Sequence, residues 1–274
     1  MSLGENTVIF SVTNGKNRYP ELAVLWAKFL DKLNINNYII YCIDKESFDY
    51  LNEQGVRCQL VKKKPQIEDK PFSGAVLGLD KNDAFRNATS KFGLIGAYKF
   101  MIAKDLLKQG KDVVYSDTDA FFCRDPVPHL RDLLGQYDCL LSTAVLGVSH
   151  PQKILKQIGF TACSGFLALK AGKGSIDFIS DMESRLSEYG DLQRAINFYL
   201  LPYIQKLRLP LEERRDSAFR VEGFHIKMLP QSFVRRERVV KDDISPLYPC
   251  VFHCLGATPR CLERGAELYK KLYG

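Results

Sequence analysis

The chain has 274 residues, of which 46% are hydrophobic and 26% charged, enough apolar material to bury a substantial core and too much for a disordered chain. Its 39 basic and 32 acidic residues leave a formal net charge of +7, a mild excess that suits phosphates or acidic glycans and does not select nucleic acid. The densest basic runs, Lys62-Lys63-Lys64 and Arg235-Arg236-Glu237-Arg238, lack the interleaved aromatics of a base-stacking platform, so they read as solvated faces and no nucleic-acid partner is expected.

The first half alternates strand and helix. "TVIFSV" (7 to 12) predicts a buried strand, "ELAVLWAKFLDKL" (21 to 33) an amphipathic helix entered through Pro20, and "NYIIYCID" (37 to 44) a second strand ending in Asp44. A helix over 46 to 54 stops at Gly55, and "VRCQLV" (56 to 61) makes a third strand. Such alternation implies right-handed crossovers and a parallel sheet covered on both faces. Residues 63 to 90 are polar and punctuated by Gly and Pro, too long for an ordinary connection, and read as a functional or mobile loop. "LIGAYKFMIAKDLLKQG" (94 to 110) is a helix closed by Gly110, and a strand at 113 to 116 follows it.

The second half changes character. "DCLLSTAVL" (138 to 146) and "TACSGFLALK" (161 to 170) read as strands, followed by helices over 174 to 188 and 191 to 206. After a charged stretch at 212 to 222 come strands at "HIKMLP" (225 to 230) and "CVFHC" (250 to 254) and a closing helix over 259 to 272. The expected fold is α/β: a mixed, mainly parallel central sheet flanked by helices, with an antiparallel C-terminal addition. One domain over 1–274 is expected.

Five of the eight cysteines, Cys42, Cys58, Cys123, Cys139 and Cys163, lie in or beside apolar runs where a small thiol packs well, and most are expected to be reduced. Cys250, His253, Cys254 and Cys261 invite a zinc reading, but one His, irregular spacing and the lack of a CxxC make it weak. No apolar stretch approaches the ~20 residues that span a bilayer, and the opening "MSLGENTVIFSV" has no basic segment before an apolar one. The chain is therefore expected to be soluble as given and without a membrane span, either cytoplasmic or the catalytic portion of a longer Golgi-type membrane-anchored protein.

The chemistry concentrates in "KDVVYSDTDAFFCRDP" (111 to 126). On an extended backbone residues two apart point the same way, so Asp117 and Asp119 would present two hard oxygen ligands to one side while Thr118 faces the other. Two carboxylates this close want a cation, and oxygen ligands with few histidines favour Mn²⁺ or Mg²⁺, which keep open positions for substrate phosphates. The competing reading is a turn with two solvated carboxylates.

"GAYKFMIAKDLLKQGKDVVYSDTDAFFCRDP" resembles the core of nucleotide-diphospho-sugar transferases with the GT-A fold, especially the group containing plant rhamnogalacturonan xylosyltransferases and, more distantly, glycogenin. "NYIIYCIDKESFDYLNEQGVRCQLV", "CSGFLALK", "GDLQRAIN" and "VFHCLG" are similar to further segments of that group in the same order, so the resemblance spans roughly residues 7 to 257. It implies a nucleotide-binding half at about 1–125 and an acceptor-binding half at about 126–274. The implied activity is metal-dependent transfer of a sugar from a nucleotide diphosphate, with UDP the expected nucleotide, to a saccharide or glycoconjugate hydroxyl with retention.

Residue by residue, the resemblance makes Asp117 and Asp119 the metal and ribose contacts, with Thr118 between them in the donor site, and makes His253 the third metal ligand, with Gly256 three residues on. Lys99 resembles a basic residue that contacts the donor. Thr13, Asn14 and Tyr19 follow the first strand, where such enzymes hold the base, and Asp44 is placed for base or ribose. Ser164 and Gly165 of "CSGFLALK" join the substrate site. The family's Gly-Asp-Gln is interrupted here by Leu192, so either Asp191 or Gln193 keeps the catalytic place, and both are carried. Three rivals remain. A haloacid-dehalogenase phosphohydrolase would want Thr or Val where Phe121 stands. A Rossmann oxidoreductase would want a third glycine after "GLIGAY". A non-catalytic nucleotide-sugar or glycan-binding module on the same fold is the third.

Overall fold

The computed structural model describes residues 6–15, 18–65, 89–144, 152–189, 192–237, 249–254 and 258–274. In chain order the elements are β1 (Thr7–Thr13), α1 (Tyr19–Lys32), β2 (Tyr38–Cys42), α2 (Lys45–Glu53), β3 (Cys58–Leu60), α3 (Thr89–Lys108), β4 (Asp112–Ser116), β5 (Ala120–Phe122), α4 (Val127–Leu134) and β6 (Cys139–Ala144). They continue as α5 (Gln152–Ile158), β7 (Thr161–Leu169), α6 (Lys173–Tyr189), α7 (Leu192–Gln205), α8 (Leu211–Arg214), β8 (Ala218–Val221), β9 (Phe224–Leu229), β10 (Val234–Glu237), β11 (Val251–Cys254) and α9 (Thr258–Tyr273).

Eight strands form one sheet in the order β3-β2-β1-β4-β7-β6-β9-β8, and three form a second, β10-β11-β5. The first four strands of the large sheet run parallel. From β7 onward the sheet is mixed: β7 is antiparallel to both β4 and β6, β9 is parallel to β6, and β8 is antiparallel to β9. The expected change of character falls at that join.

Strand periodicity distributes β1 between two cores. Ile9 faces Trp26, Phe29 and Leu30 of α1, whereas Val8, Phe10 and Val12 join Phe100 of α3 and Met182 of α6 on the opposite face. A strand buried on both faces has no polar side, so it reads as a continuous apolar run. With the parallel strands in register, Thr13 pairs with Cys42 and Phe10 with Tyr115. Their carboxyl ends therefore open on one edge of the sheet, where such folds take ligands.

The "charged stretch" at 212 to 222 contains α8 and β8. In β8, Phe219 and Val221 are buried while Ala218 and Arg220 are exposed, a four-residue edge strand too short for its alternation to stand out. β5 and β10, three and four residues long, and helices α4 and α5 were likewise not expected. Residues 66–88, most of the predicted loop at 63 to 90, lie outside the described residues. No described helix is long and apolar enough to cross a membrane, and none of the eight cysteines is in a disulfide.

Candidate metal and diphosphate site

The site begins where β4 ends. Ser116 is fixed by the Trp26 indole, whose Nε1–H donates to Ser116 Oγ at 3.2 Å. Phe121 stacks on Phe29 with ring centroids 5.1 Å apart, and Phe122 meets Trp26 edge-on at 5.9 Å. The apolar residues flanking the two aspartates thus anchor β4 and β5 on α1, and the polar tripeptide between them is left at the sheet edge.

The backbone there is a turn and not the extended segment the spacing suggested. Ala120 N–H donates to Asp117 C=O at 3.0 Å, and Asp117 N–H donates to Gly165 C=O at 2.7 Å. The reason is topological: β4 belongs to the large sheet and β5 to the small one, so the chain must bend between them. Convergence of the carboxylates comes from this turn and from β11. Cys254 N–H donates to Asp119 C=O at 2.9 Å, and His253 pairs with Ala120 across the β5–β11 ladder.

As a result His253 Nε2 lies 3.3 Å from Asp119 Oδ1 and 3.8 Å from Asp117 Oδ2. One ligand atom from each of the three residues falls within 4.8 Å of the others, and this is the only such group among the described residues. The imidazole is buried at 4% side-chain exposure, whereas the carboxylates are 30% and 27% exposed, so the cluster opens to solvent on its acidic side. Gly165 permits the approach: a Cβ there would stand 2.2 Å from His253 Cε1 and 2.5 Å from Asp117 Oδ2. The weaker zinc alternative does not form. His253 joins the aspartates, and Cys250, Cys254 and Cys261 form no metal-holding group with it.

Electrostatics pull the same way. Lys99 Nζ is 2.7 Å from Asp117 Oδ1 and sits 4.4 Å from the centroid of the Tyr115 ring, and the Tyr115 hydroxyl donates to the same oxygen. Burial alone would raise the Asp117 carboxyl pKa, but Lys99 and then His253 outweigh it and hold it below the ordinary value. Burial would likewise lower that of His253, yet the neighbouring Cys163 and Asp119 raise it to about 10. For Cys163 burial opposes ionisation, while Arg236 and His253 bring the thiol down to about 6. The cluster's own charges thus favour the imidazolium and the thiolate over their neutral forms.

The other sequence-predicted residues have different surroundings. Tyr19 is brought near: it bonds Thr258, and burial followed by the charges of Asp119 and Asp117 raises its phenol pKa. Thr13 is buried and its hydroxyl has no partner among the described residues, while Asn14 and Ser164 are half-buried. Thr118 is buried at 6% exposure. Asp44 is engaged locally, accepting from Ser47 N–H at 2.8 Å as the cap of α2 and from Gly15 N–H at 2.8 Å. Lys99 is engaged by Asp117. Gln193 is half-buried in the first turn of α7. Asp191 and Gly256 lie outside the described residues.

Sequence reading missed Tyr115, Cys163, Asn197 and Arg236. Tyr115 was legible, since it precedes Asp117 by two residues along a strand. Arg236 read as part of a solvated basic run, but it pairs with His253 in the β10–β11 register, is half-buried, and has a buried Nε without a partner among the described residues. Asn197 clamps the backbone of Ala162, accepting from its N–H at 2.8 Å and donating to its C=O at 2.7 Å. No local signal marked Asn197 or Cys163.

A family model for nucleotide-diphospho-sugar transferases matches residues 33–253. The chain belongs to that family. This transferase is 26% identical over 208 residues to a UDP-galactose:fucoside alpha-3-galactosyltransferase of Dictyostelium discoideum, an alignment covering 72% of the chain and 31% of the relative; the chain thus spans under a third of that relative's length. Among solved structures it is similar to the galactosyltransferase LgtC, in complex with donor and acceptor sugar analogs (TM-score 0.51, 12% identity, 98% of this chain and 97% of that one). It is also similar to the bifunctional glycosyltransferase WbbM (TM-score 0.56, 11% identity, 100% and 53%) and to mouse xyloside xylosyltransferase 1 (TM-score 0.52, 9% identity, 93% and 98%). At these identities the likeness shows the fold, which is the GT-A architecture. The chain is a member of the nucleotide-diphospho-sugar transferase family with the GT-A fold.

Proposed function

We propose that this transferase moves a sugar from UDP to a hydroxyl of a saccharide or glycoconjugate acceptor, with retention, and that it uses Mn²⁺ or Mg²⁺ held by Asp117, Asp119 and His253. The observation that carries the reading is the convergence of two partly exposed carboxylates from the β4–β5 turn and one buried imidazole from β11 on one point at the sheet edge. The donor set fits a hard divalent cation: two carboxylates and a nitrogen, with no sulfur among them. UDP and retention are supported by the Dictyostelium relative, whose name gives a UDP-sugar donor and an alpha product; an alpha linkage made from an α-linked sugar nucleotide corresponds to retention.

When bound, the cation offsets the negative charge that grows on the departing diphosphate. The chain's own residues prepare for this. Lys99 and Tyr115 occupy Asp117 Oδ1 and keep the carboxylate ionised, with Oδ2 toward His253. Gly165 leaves room for the ring and the carboxylate to meet. In this reading Tyr19, Thr13, Asn14 and Asp44 line the nucleotide end, Ser164 and Gly165 face the sugar, and either Asp191 or Gln193 contacts the transferred sugar.

The test is a panel of nucleotide sugars assayed for hydrolysis without acceptor, with Mn²⁺ and with EDTA. Release of UDP from one UDP-sugar only with the cation supports the reading. Binding of UDP with no turnover of any donor, with or without saccharide acceptors, would favour the non-catalytic binding module. Turnover unaffected by EDTA would remove the metal.

A further inference from the structure

A metal-ligating imidazole almost always gives its second ring N–H to an acceptor, and that partner fixes the tautomer and the ring plane. Resting on the metal reading above, the question is what holds the far side of His253. Nε2 faces the carboxylates, and Nδ1 lies 3.7 Å from Cys163 Sγ, both groups being buried. We propose that Cys163 is the positioning residue of the site: its sulfur accepts the Nδ1–H of His253, so that the Nε2 lone pair, and not an N–H, is directed at the cation.

The sheet builds this contact. Leu141 of β6 pairs with Leu167, but the next residue, Ser142, pairs with Cys163, so residues 164–166 bulge from the β6–β7 ladder. Bulges beside active sites re-aim side chains. This one is tied at both ends, because Ser142 Oγ donates to the carbonyls of Cys163 at 3.2 Å and Phe166 at 3.0 Å. Asn197 fixes the preceding residue, Ala162, through both its N–H and its C=O. On the other side His253 belongs to the central strand of the small sheet, paired on both edges. The backbones of both partners are thus held in place. Cys163 meets the ring through Nδ1, the nitrogen away from the carboxylates, and stays outside the ligand group, so it acts through His253 and not on the cation.

The experiment uses the whole chain labelled with ¹⁵N-histidine. Long-range ¹H–¹⁵N correlation with Mg²⁺ present reports which nitrogen of each of the four histidines carries the proton, and His253→Asn assigns the signal. The expected wild-type result is a proton on Nδ1. Mn²⁺ affinity is then measured by the paramagnetic resonance of the free ion. Cys163→Ala is expected to weaken it about ten- to a hundred-fold and to lose the Nδ1–H tautomer, while Cys163→Ser, which keeps an acceptor, recovers most of the loss. A proton on Nε2 in the Mg²⁺-loaded wild type would overturn the proposal without any variant having to fold. So would Mn²⁺ affinity of Cys163→Ala within twofold of wild type. A wild type that binds no Mn²⁺ would overturn the metal reading itself, an outcome distinct from a wild type and a Cys163→Ala variant that bind equally well.

Discussion

Gly165→Ala probes the site at its tightest point. The added Cβ would stand 2.2 Å from His253 Cε1, where ordinary contact begins at 3.4 Å, so about 1.2 Å (3.4 − 2.2) must be found. The ring cannot yield freely: His253 is 3% exposed and its strand is paired on both sides. Nor can the glycine, whose carbonyl accepts from Asp117 N–H at 2.7 Å. Overpacking of this kind costs about 1–3 kcal/mol. Metal–ligand distances tolerate only about ±0.2 Å, so a shift of order 1 Å amounts to losing His253 as a ligand, and Mn²⁺ affinity should fall at least about tenfold. Titration of free Mn²⁺ reads the affinity and calorimetric melting reads the stability. Gly110→Ala is the control: that glycine has φ +76° and nothing within 4 Å of a Cβ, so about 1 kcal/mol of backbone strain is expected there with unchanged Mn²⁺ affinity. Wild-type affinity in Gly165→Ala would refute the reasoning that this close approach shapes the site.

Three further outcomes are expected. Lys99→Met removes the partner that holds the Asp117 carboxyl pKa below its ordinary 3.8; a lowered carboxylate pKa contributes stability that is present above the unfolded value and lost as pH falls through the folded one. The variant should therefore be less stable than wild type at pH 7, with the gap closing below about pH 4, as acid titration of both proteins would show. Asn197→Leu leaves the Ala162 N–H and C=O without their clamp, for a loss of about 1–3 kcal/mol read by denaturant melting. Asp44→Ala removes the α2 cap and the Gly15 anchor, for about 0.5–2 kcal/mol, read as a lower melting temperature of the nucleotide-free protein.

The parallel half of the sheet was legible because β1 and β4 are buried on both faces and announce themselves as apolar runs. The aspartate pair was legible because it interrupts such a run, and the tyrosine two residues earlier shares its strand. What could not be read depends on partners far apart in sequence. β5 and β10 are three and four residues long, and β11, though read as a strand at 250 to 254, becomes the neighbour of the aspartates only through its pairing with β5, which sets His253 opposite Ala120. Cys163 looks like any packed thiol until His253, 90 residues later, is placed beside it. Arg236 looked solvated because a run of like charges usually is, whereas alternate residues of a strand face opposite sides and only some reach solvent. The turn at Asp117–Ala120 was misjudged for a related reason: the local sequence does not say that the chain leaves one sheet for another.

The central claim is that the turn carboxylates and the buried imidazole form a cation site that holds the donor diphosphate. Calorimetric titration of UDP into the wild type and Asp119→Ala, each with Mn²⁺ and with EDTA, tests it most directly. The prediction is that UDP binds the wild type far more tightly with Mn²⁺ than with EDTA, and that Asp119→Ala abolishes the difference while keeping its fold. Equal UDP affinity in all four titrations would contradict it.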